Sequence, residues 1–293
     1  MRLFDLHCDT LTECLRKNQH LENYDGHVSL ARGRRLQQWM QVFAIFVPDT
    51  LHGRAAADYF DTVLAFYRAE QRRQRFDAIL ALENGSALMG DPGQVDRMAK
   101  EGLRIIGITW NGANELGYGA AQGPVPGLTP AGKACVRRML ELGILPDVSH
   151  LNEAGFWEVA RLWEERRADA RVPFIASHSS CAALCPHPRN LTDDQIRAIV
   201  AAGGLIGLNL YPEFLGGEGA AREVMGHILH LIALGAAESI ALGSDFDGCT
   251  LHPALAGIEK MEHLRQSLLK MGLPEEICEA FFWKNGARAF ALE

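Results

Sequence analysis

No run of 18 or more apolar residues occurs in the chain, so neither a transmembrane helix nor a membrane partner is predicted. Met1-Arg2-Leu3-Phe4-Asp5 leads within two residues to His7, which leaves no room for the apolar h-region of a signal peptide. A cytoplasmic location is the expectation. Paired cysteines are missing too. Cys8, Cys14, Cys135, Cys181, Cys185, Cys249 and Cys278 are odd in number and contain no CxxC pair. This predicts neither a disulfide framework nor a thiolate zinc site, and the cysteines read as small apolar fillers. A basic excess is also lacking: 29 Lys and Arg against 36 Asp and Glu give a net charge of −7, which argues against a nucleic-acid groove. The local basic cluster Arg32-Gly33-Arg34-Arg35 reads as a solvated helix face. With no repeat, low-complexity segment or linker, residues 1–293 are expected to form a single domain.

Hydrophobic residues make up 48% of the chain, enough for a large core. They recur as short, continuously apolar runs at Leu3–His7, Val42–Val47, Ala78–Glu83, Arg104–Thr109, Ile144–Ser149, Pro173–Ser177, Leu205–Leu210 and Ser239–Ser244. Continuous runs, unlike alternating ones, are the mark of parallel strands covered on both faces. Helical patterns lie between them. Ala55–Arg73 carries Tyr59, Val63, Phe66 and Tyr67 on one side. Thr129-Pro130 reads as an N-cap with proline at the first helical position, opening a helix to about Leu142. Thr192-Asp193-Asp194-Gln195 reads as a capping box, and Gly272 with Pro274 as a stop and restart. Eight strands alternating with helices predict an α/β fold of the (β/α)8 TIM-like type, which needs about 250 residues. A doubly wound open sheet is the weaker alternative, because no glycine-rich dinucleotide fingerprint follows the first strand.

In such a barrel the chemistry sits at the C-terminal ends of the strands. Three long connections, Asn111–Leu128, Ser179–Leu191 and Tyr211–Arg222, follow predicted strands and would lie on that face. The strand ends themselves supply His7-Cys8-Asp9, Glu83, His150, His178 and Asp245-Phe246-Asp247-Gly248. In an extended strand, residues two apart share a face, so His7 and Asp9 can reach one metal while Cys8 points away. Any one of these residues has a bland reading, as a hydrogen-bonded histidine or a turn aspartate. Five strand ends that all carry His, Asp or Glu do not, and they predict a metal site. Asp9, Glu83 and Asp245 bring three negative charges to one rim. Two divalent ions with a bridging hydroxide would neutralise them, and Glu83 is the natural bridging carboxylate.

The ordered set Phe4-Asp5-Leu6-His7-Cys8-Asp9-Thr10-Leu11, Glu83-Asn84-Gly85, Gly107-Ile108-Thr109-Trp110-Asn111, Asp147-Val148-Ser149-His150, Ile175-Ala176-Ser177-His178-Ser179-Ser180, Pro188-Arg189-Asn190 and Gly243-Ser244-Asp245-Phe246-Asp247-Gly248 resembles the membrane (renal) dipeptidase family of zinc peptidases. The resemblance covers nearly the whole chain. It implies two Zn2+ ions, one on His7 and Asp9 and the other on His150 and His178, bridged by Glu83 and a water or hydroxide. It also implies proton handling by Asp245, capture of the substrate carboxylate by Arg189, and substrate contacts from Tyr211. The implied reaction is hydrolysis of a small-molecule dipeptide, with L,L and L,D substrates both open. One departure stands out: the family often carries histidine where this chain has Trp110, which donates only through its indole N–H. Trp110 is therefore expected to shape substrate preference. The competing readings are another binuclear barrel hydrolase, acting on lactones, cyclic amides or β-lactams, and a non-catalytic metal-binding barrel. The former usually opens with HxH and uses a strand lysine, whereas strand 4 here ends Ile108-Thr109-Trp110. Symmetry statistics make a homodimer the default oligomer.

Overall fold

A computed structural model of the chain describes residues 1–123 and 125–292; Pro124, in the predicted connection Asn111–Leu128, and Glu293 lie outside the described residues. Seven parallel strands are present: β1 (Arg2–Cys8), β2 (Gln38–Phe46), β3 (Ile79–Glu83), β4 (Leu103–Gly107), β5 (Leu145–Asp147), β6 (Ile206–Leu208) and β7 (Ile240–Leu242). They form one curled sheet in the order β5-β4-β3-β2-β1-β7-β6, with helices in the crossovers.

The run Pro173–Ser177, read from sequence as a sixth strand, is not one of these elements. It makes single parallel bridges, Ile175 to Asp147 and Ala176 to Ile206. Its backbone explains the difference. Pro173 has no N–H to give. The N–H of Ser177 goes to the Asp147 carboxylate at 3.0 Å, and that of His178 to Ser149 Oγ at 3.1 Å, so side chains take the donors a ladder would use. Gly207 and Gly243 stand beside it, where a Cβ on either would collide with the Ser177 carbonyl.

Two layers of apolar side chains cover the sheet. The larger contains the inward faces of the helices. The smaller takes one phase from the strands: Phe4, Leu6, Val42, Ala44, Ile79, Ala81, Ile105, Leu145, Ile175, Leu205 and Ala241. It is closed at the N-terminal end by Trp283, Ala287 and Phe290, with Phe4 stacked on Phe290 at 5.5 Å between ring centroids. The smaller layer is the concave side. Because side chains alternate along a strand, its phase determines what faces into the mouth at the other end.

The local signals match the structure. Helices run over Gly53–Arg73 and Pro130–Leu142, the second capped by Thr129, whose hydroxyl accepts from Gly132 N–H. The capping box at Thr192 and Gln195 is formed on both sides. Helices Met261–Lys270 and Glu275–Glu279 flank Gly272 and Pro274. All seven cysteines are free, five of them buried. Among the described residues no helix is long and apolar enough to cross a membrane.

Candidate metal centre and active site

Counting on from the concave layer in steps of two reaches Phe46 in β2, Glu83 in β3, Asp147 in β5 and Ser177 in the 173–177 run, and, just past the ends of β6 and β7, Asn209 and Asp245. These side chains inherit an inward direction from the core beneath them. In β1 the same count from Phe4 and Leu6 would bring Cys8 inward and turn His7 out. A bulge corrects this: Asp5 pairs with Gln41 but Cys8 with Phe43, so three residues of β1 advance against two of β2. Bulges re-aim side chains next to sites in this way. Cys8 joins the outer layer and His7 turns into the mouth. The buried Asp5 carboxylate holds the bulge, accepting from His7 N–H (3.4 Å), Ser244 N–H (2.8 Å), Ser244 Oγ (2.6 Å) and Gln41 Nε2 (2.7 Å).

The predicted ligands meet around Glu83, which is buried and whose two oxygens face different groups. Oε1 lies 2.9 Å from His150 Nε2 and 3.8 Å from His178 Nε2. Oε2 lies 3.3 Å from His7 Nε2, and that nitrogen is 3.5 Å from Asp9 Oδ2. Asp245 joins His7 and Asp9 in a second group of convergent donors. Asp9 occupies the N-cap position of the helix Thr10–Arg16, yet its side chain caps nothing and its Oδ1 is buried without a partner. An N-cap aspartate normally spends its carboxylate on the first turn; this one is turned towards His7.

Hydrogen bonding fixes the tautomers on the other side. His150 Nδ1 donates to Asn111 Oδ1 at 3.0 Å. Ser177 Oγ gives its hydrogen to Asp147 Oδ2, which leaves it to accept from His178 Nδ1 at 2.8 Å. Burial foremost, then the positive charges of Arg189 and His7, push both imidazoles well below their ordinary pKa, so both are neutral. Each Nε2 therefore carries a lone pair, and the two face each other at 2.8 Å beside Glu83 Oε1. Two imidazole lone pairs and a carboxylate oxygen converge there, an arrangement that a cation relieves. On the other side, burial opposes a charge on His7, but Glu83 and Asp9 outweigh it and raise its pKa well above the ordinary value. Asp9 is pushed up to about 7 by burial and then by Glu83. His7 Nε2 and Glu83 Oε2 are among the buried polar atoms without a hydrogen-bond partner. The donor set fits two cations that share Glu83.

Asp245 sits in the left-handed region at φ 61° and is steadied by Asn209 Nδ2 at 3.0 Å. Burial raises its pKa. A Cβ at Gly248 would collide with Asp9 Oδ2 and Asp245 Oδ1, so only glycine lets these carboxylates approach the backbone there. Arg189 is 5% exposed and poorly partnered, with Nη2 3.3 Å from His178 O, Nη1 3.5 Å from Ser179 Oγ and Nε unpaired. Burial pushes its pKa down to about 10, and Phe214 lies under the guanidinium at 5.3 Å.

A cavity of about 370 Å³ opens over these groups and is lined by Asp9, Glu83, His150, Arg189, Asp245, Trp110 and Tyr211. A larger one, about 820 Å³, lies beyond Arg189 but contains none of the five imidazole and carboxylate ligands. The smaller cavity is the one with the chemistry. Seven of the nine predicted site residues line this opening, and the other two, His7 and His178, lie buried against Glu83. Sequence reasoning missed the residues that orient them: Asp5, Asn111, Asp147, Ser177 and Asn209 in these roles, and Phe46 on the cavity wall. Their only sequence signal is strand phase, which places Phe46, Ser177 and Asn209 at the same rim.

The family model for membrane dipeptidases, peptidase family M19, matches residues 58–292. A Klebsiella pneumoniae protein described only by its position in the pqqA 5' region is 34% identical over 241 residues, covering 77% of this chain and 86% of that one. Dipeptidase aclJ of Aspergillus oryzae is 33% identical over 209 residues, 68% of this chain and 47% of that one. Among solved structures, a metallopeptidase called dipeptidase AC is 26% identical with a TM-score of 0.87, covering 99% and 98% of the two chains. A Rhodobacter sphaeroides metallopeptidase, liganded with a phosphinate mimic of the dipeptide L-Ala-D-Ala, is 25% identical with a TM-score of 0.86 over 99% of each.

Proposed function

The chain belongs to the membrane dipeptidase family, peptidase family M19, and is a metal-dependent hydrolase of dipeptidase type; from that premise we propose how its own residues bind the metals and the substrate. His7 and Asp9 would hold one zinc ion and His150 and His178 the other, with Glu83 shared between the two. The observation that carries this reading is the split of Glu83, one oxygen on each cluster of bare donor atoms. Imidazole and carboxylate donors suit zinc. Bound there, two such ions supply Lewis acidity towards the scissile carbonyl and lower the pKa of water. The curled sheet is read as a closed (β/α)8 barrel, one domain, with Pro173–Ser177 as the missing strand; its single bridges to Asp147 and Ile206, one on each side, support this.

The protein's remaining work is proton handling and positioning. Asp245, its pKa raised by burial, takes a proton in the cavity and returns it to the leaving amine. Arg189 grips the substrate's free carboxylate through its unspent N–H groups. Held at a fixed distance from Glu83, that grip limits hydrolysis to dipeptides. Tyr211 and Trp110 line the cavity around the bound molecule. Arg189→Ala should raise KM strongly for dipeptides while leaving the zinc content unchanged; an unchanged KM removes the carboxylate role. The reaction itself is tested with L-Ala-L-Ala and L-Ala-D-Ala on zinc-loaded and chelated protein. Hydrolysis that vanishes on chelation and returns with zinc is the expected result.

A further inference from the structure

We propose that Phe46 and Trp110 form the wall that receives the side chain of the substrate's first residue, and that they select dipeptides beginning with an apolar residue. The proposal rests on the dipeptidase reading and on Arg189 holding the carboxylate.

Strand phase turns Phe46 inward, above Val42 and Ala44. It is the register partner of Glu83, so its ring stands directly beside the bridging carboxylate. Trp110 meets it edge to face, with centroids 5.0 Å apart, and lies 6.2 Å from the His150 ring. Both aromatics are half-buried and line the cavity. An edge-to-face pair holds each ring in place, which makes a firm surface and not an adaptable one.

Topology places this wall opposite Arg189. β2 is the middle strand of the sheet order, while Arg189 follows the run that bridges β5 and β6, the two outer strands. A dipeptide anchored by its carboxylate at Arg189 must cross the Glu83 cluster to present its amide there. Its first residue then arrives on the β2 side. Phe46 and Trp110 carry no charge and offer only one indole N–H between them. Of the carboxylates that line the cavity, Glu13 is held by Arg16 in two bonds of 2.9 and 2.7 Å, and Asp9, Glu83 and Asp245 belong to the proposed metal and proton-handling groups. A charged first side chain would lose water here without gaining a partner.

The test is kcat/KM for two series of dipeptides. In the first, the leading residue is Ala, Leu, Phe, Asp or Lys and the second is Ala of whichever configuration the wild type cleaves. In the second, Leu leads and the second residue varies. Wild type should favour Leu or Phe over Ala by about 10-fold or more, the order expected when a few methylenes enter an apolar pocket, and should disfavour Asp and Lys. Phe46→Ala and Trp110→Ala should flatten the first series by a similar factor and leave the profile of the second series as it was. Phe46→Leu and Trp110→Phe preserve packing and should flatten it less. Zinc content reports whether each variant keeps its site. A wild-type enzyme that hydrolyses dipeptides without regard to the first residue would overturn this proposal alone, as would variants whose changes fall in the second series. No hydrolysis of any dipeptide would overturn the underlying reading as well.

Discussion

The two halves of the proposed metal site are built by different means. His150 and His178 are oriented by neutral groups, Asn111 and Ser177, and burial keeps them uncharged. His7 and Asp9 are oriented by the backbone, through a bulge and an N-cap position, and they answer each other's charge. The first half is a preformed pair of lone pairs. The second holds protons near neutrality until a cation displaces them. On the proposed reading Glu83 serves two sites of unequal readiness, and the His150 half should fill first.

Removing what the halves share should have the largest effect. Glu83→Gln replaces one carboxylate oxygen with an amide that cannot bridge, so both metals should be lost. Activity should fall beyond the roughly 100-fold that marks the upper end of outer-shell changes. Retention of two zinc ions per chain in that variant would break the account.

Gly248→Ala separates the halves. The added methyl would meet the carboxylate oxygens of Asp9 and Asp245 first. Elemental analysis should find one metal where the wild type has two, in a protein that still folds. Loss of both metals, or of neither, would contradict the unequal construction.

Ser177→Ala and Asn111→Ala should be milder and should weaken the His150 half selectively. Each frees a ring whose tautomer it had fixed, and such partners are worth about 10- to 100-fold in metal affinity. Ser177 Oγ also stands 3.5 Å from His7 Nδ1, a distance at which little hydrogen-bond energy remains. The His7 half should therefore respond less, as read by competition with a chromogenic chelator.

The smallest effect is graded with pH. His7 has a pKa well above the ordinary value and Asp9 one of about 7, so His7 favours a proton already and Asp9 takes one up as pH falls through neutrality, each competing with the metal. The pKa values of His150 and His178 are shifted well below 6.5, so they stay free of protons further into acid. Lowering pH from about 8 to about 6 should release one metal before the other. Simultaneous release would remove the distinction.

Much of this was legible in the sequence, for physical reasons that can be named. Continuous apolar runs marked the strands, and Thr129, Thr192 and Gly272 marked helix ends, because caps and breakers act within a few residues. The ligand types at the strand ends stood out because charged groups and imidazoles are costly to bury without a purpose. What escaped depended on distant contacts. The β1 bulge is held by Asp5 against Ser244, 239 residues away in sequence. The 173–177 run looks like a strand because Phe174, Ile175 and Ala176 are apolar; its ladder is thinned by Asp147, which draws off the Ser177 N–H. Asn111 and Ser177 carry neutral side chains with no spacing signature of their own. Phe46 reads as the last core residue of a strand, and only the phase of the layer beneath it turns it into a wall.

Whether two metals carry the reaction is decided by a zinc titration of the chelated protein, followed simultaneously by metal binding and by hydrolysis of L-Ala-L-Ala and L-Ala-D-Ala. No hydrolysis is expected at the start, then two equivalents bound per chain, and a full rate only when both are in place. Saturation at a single equivalent, or undiminished hydrolysis by the chelated protein, would contradict the two-metal reading.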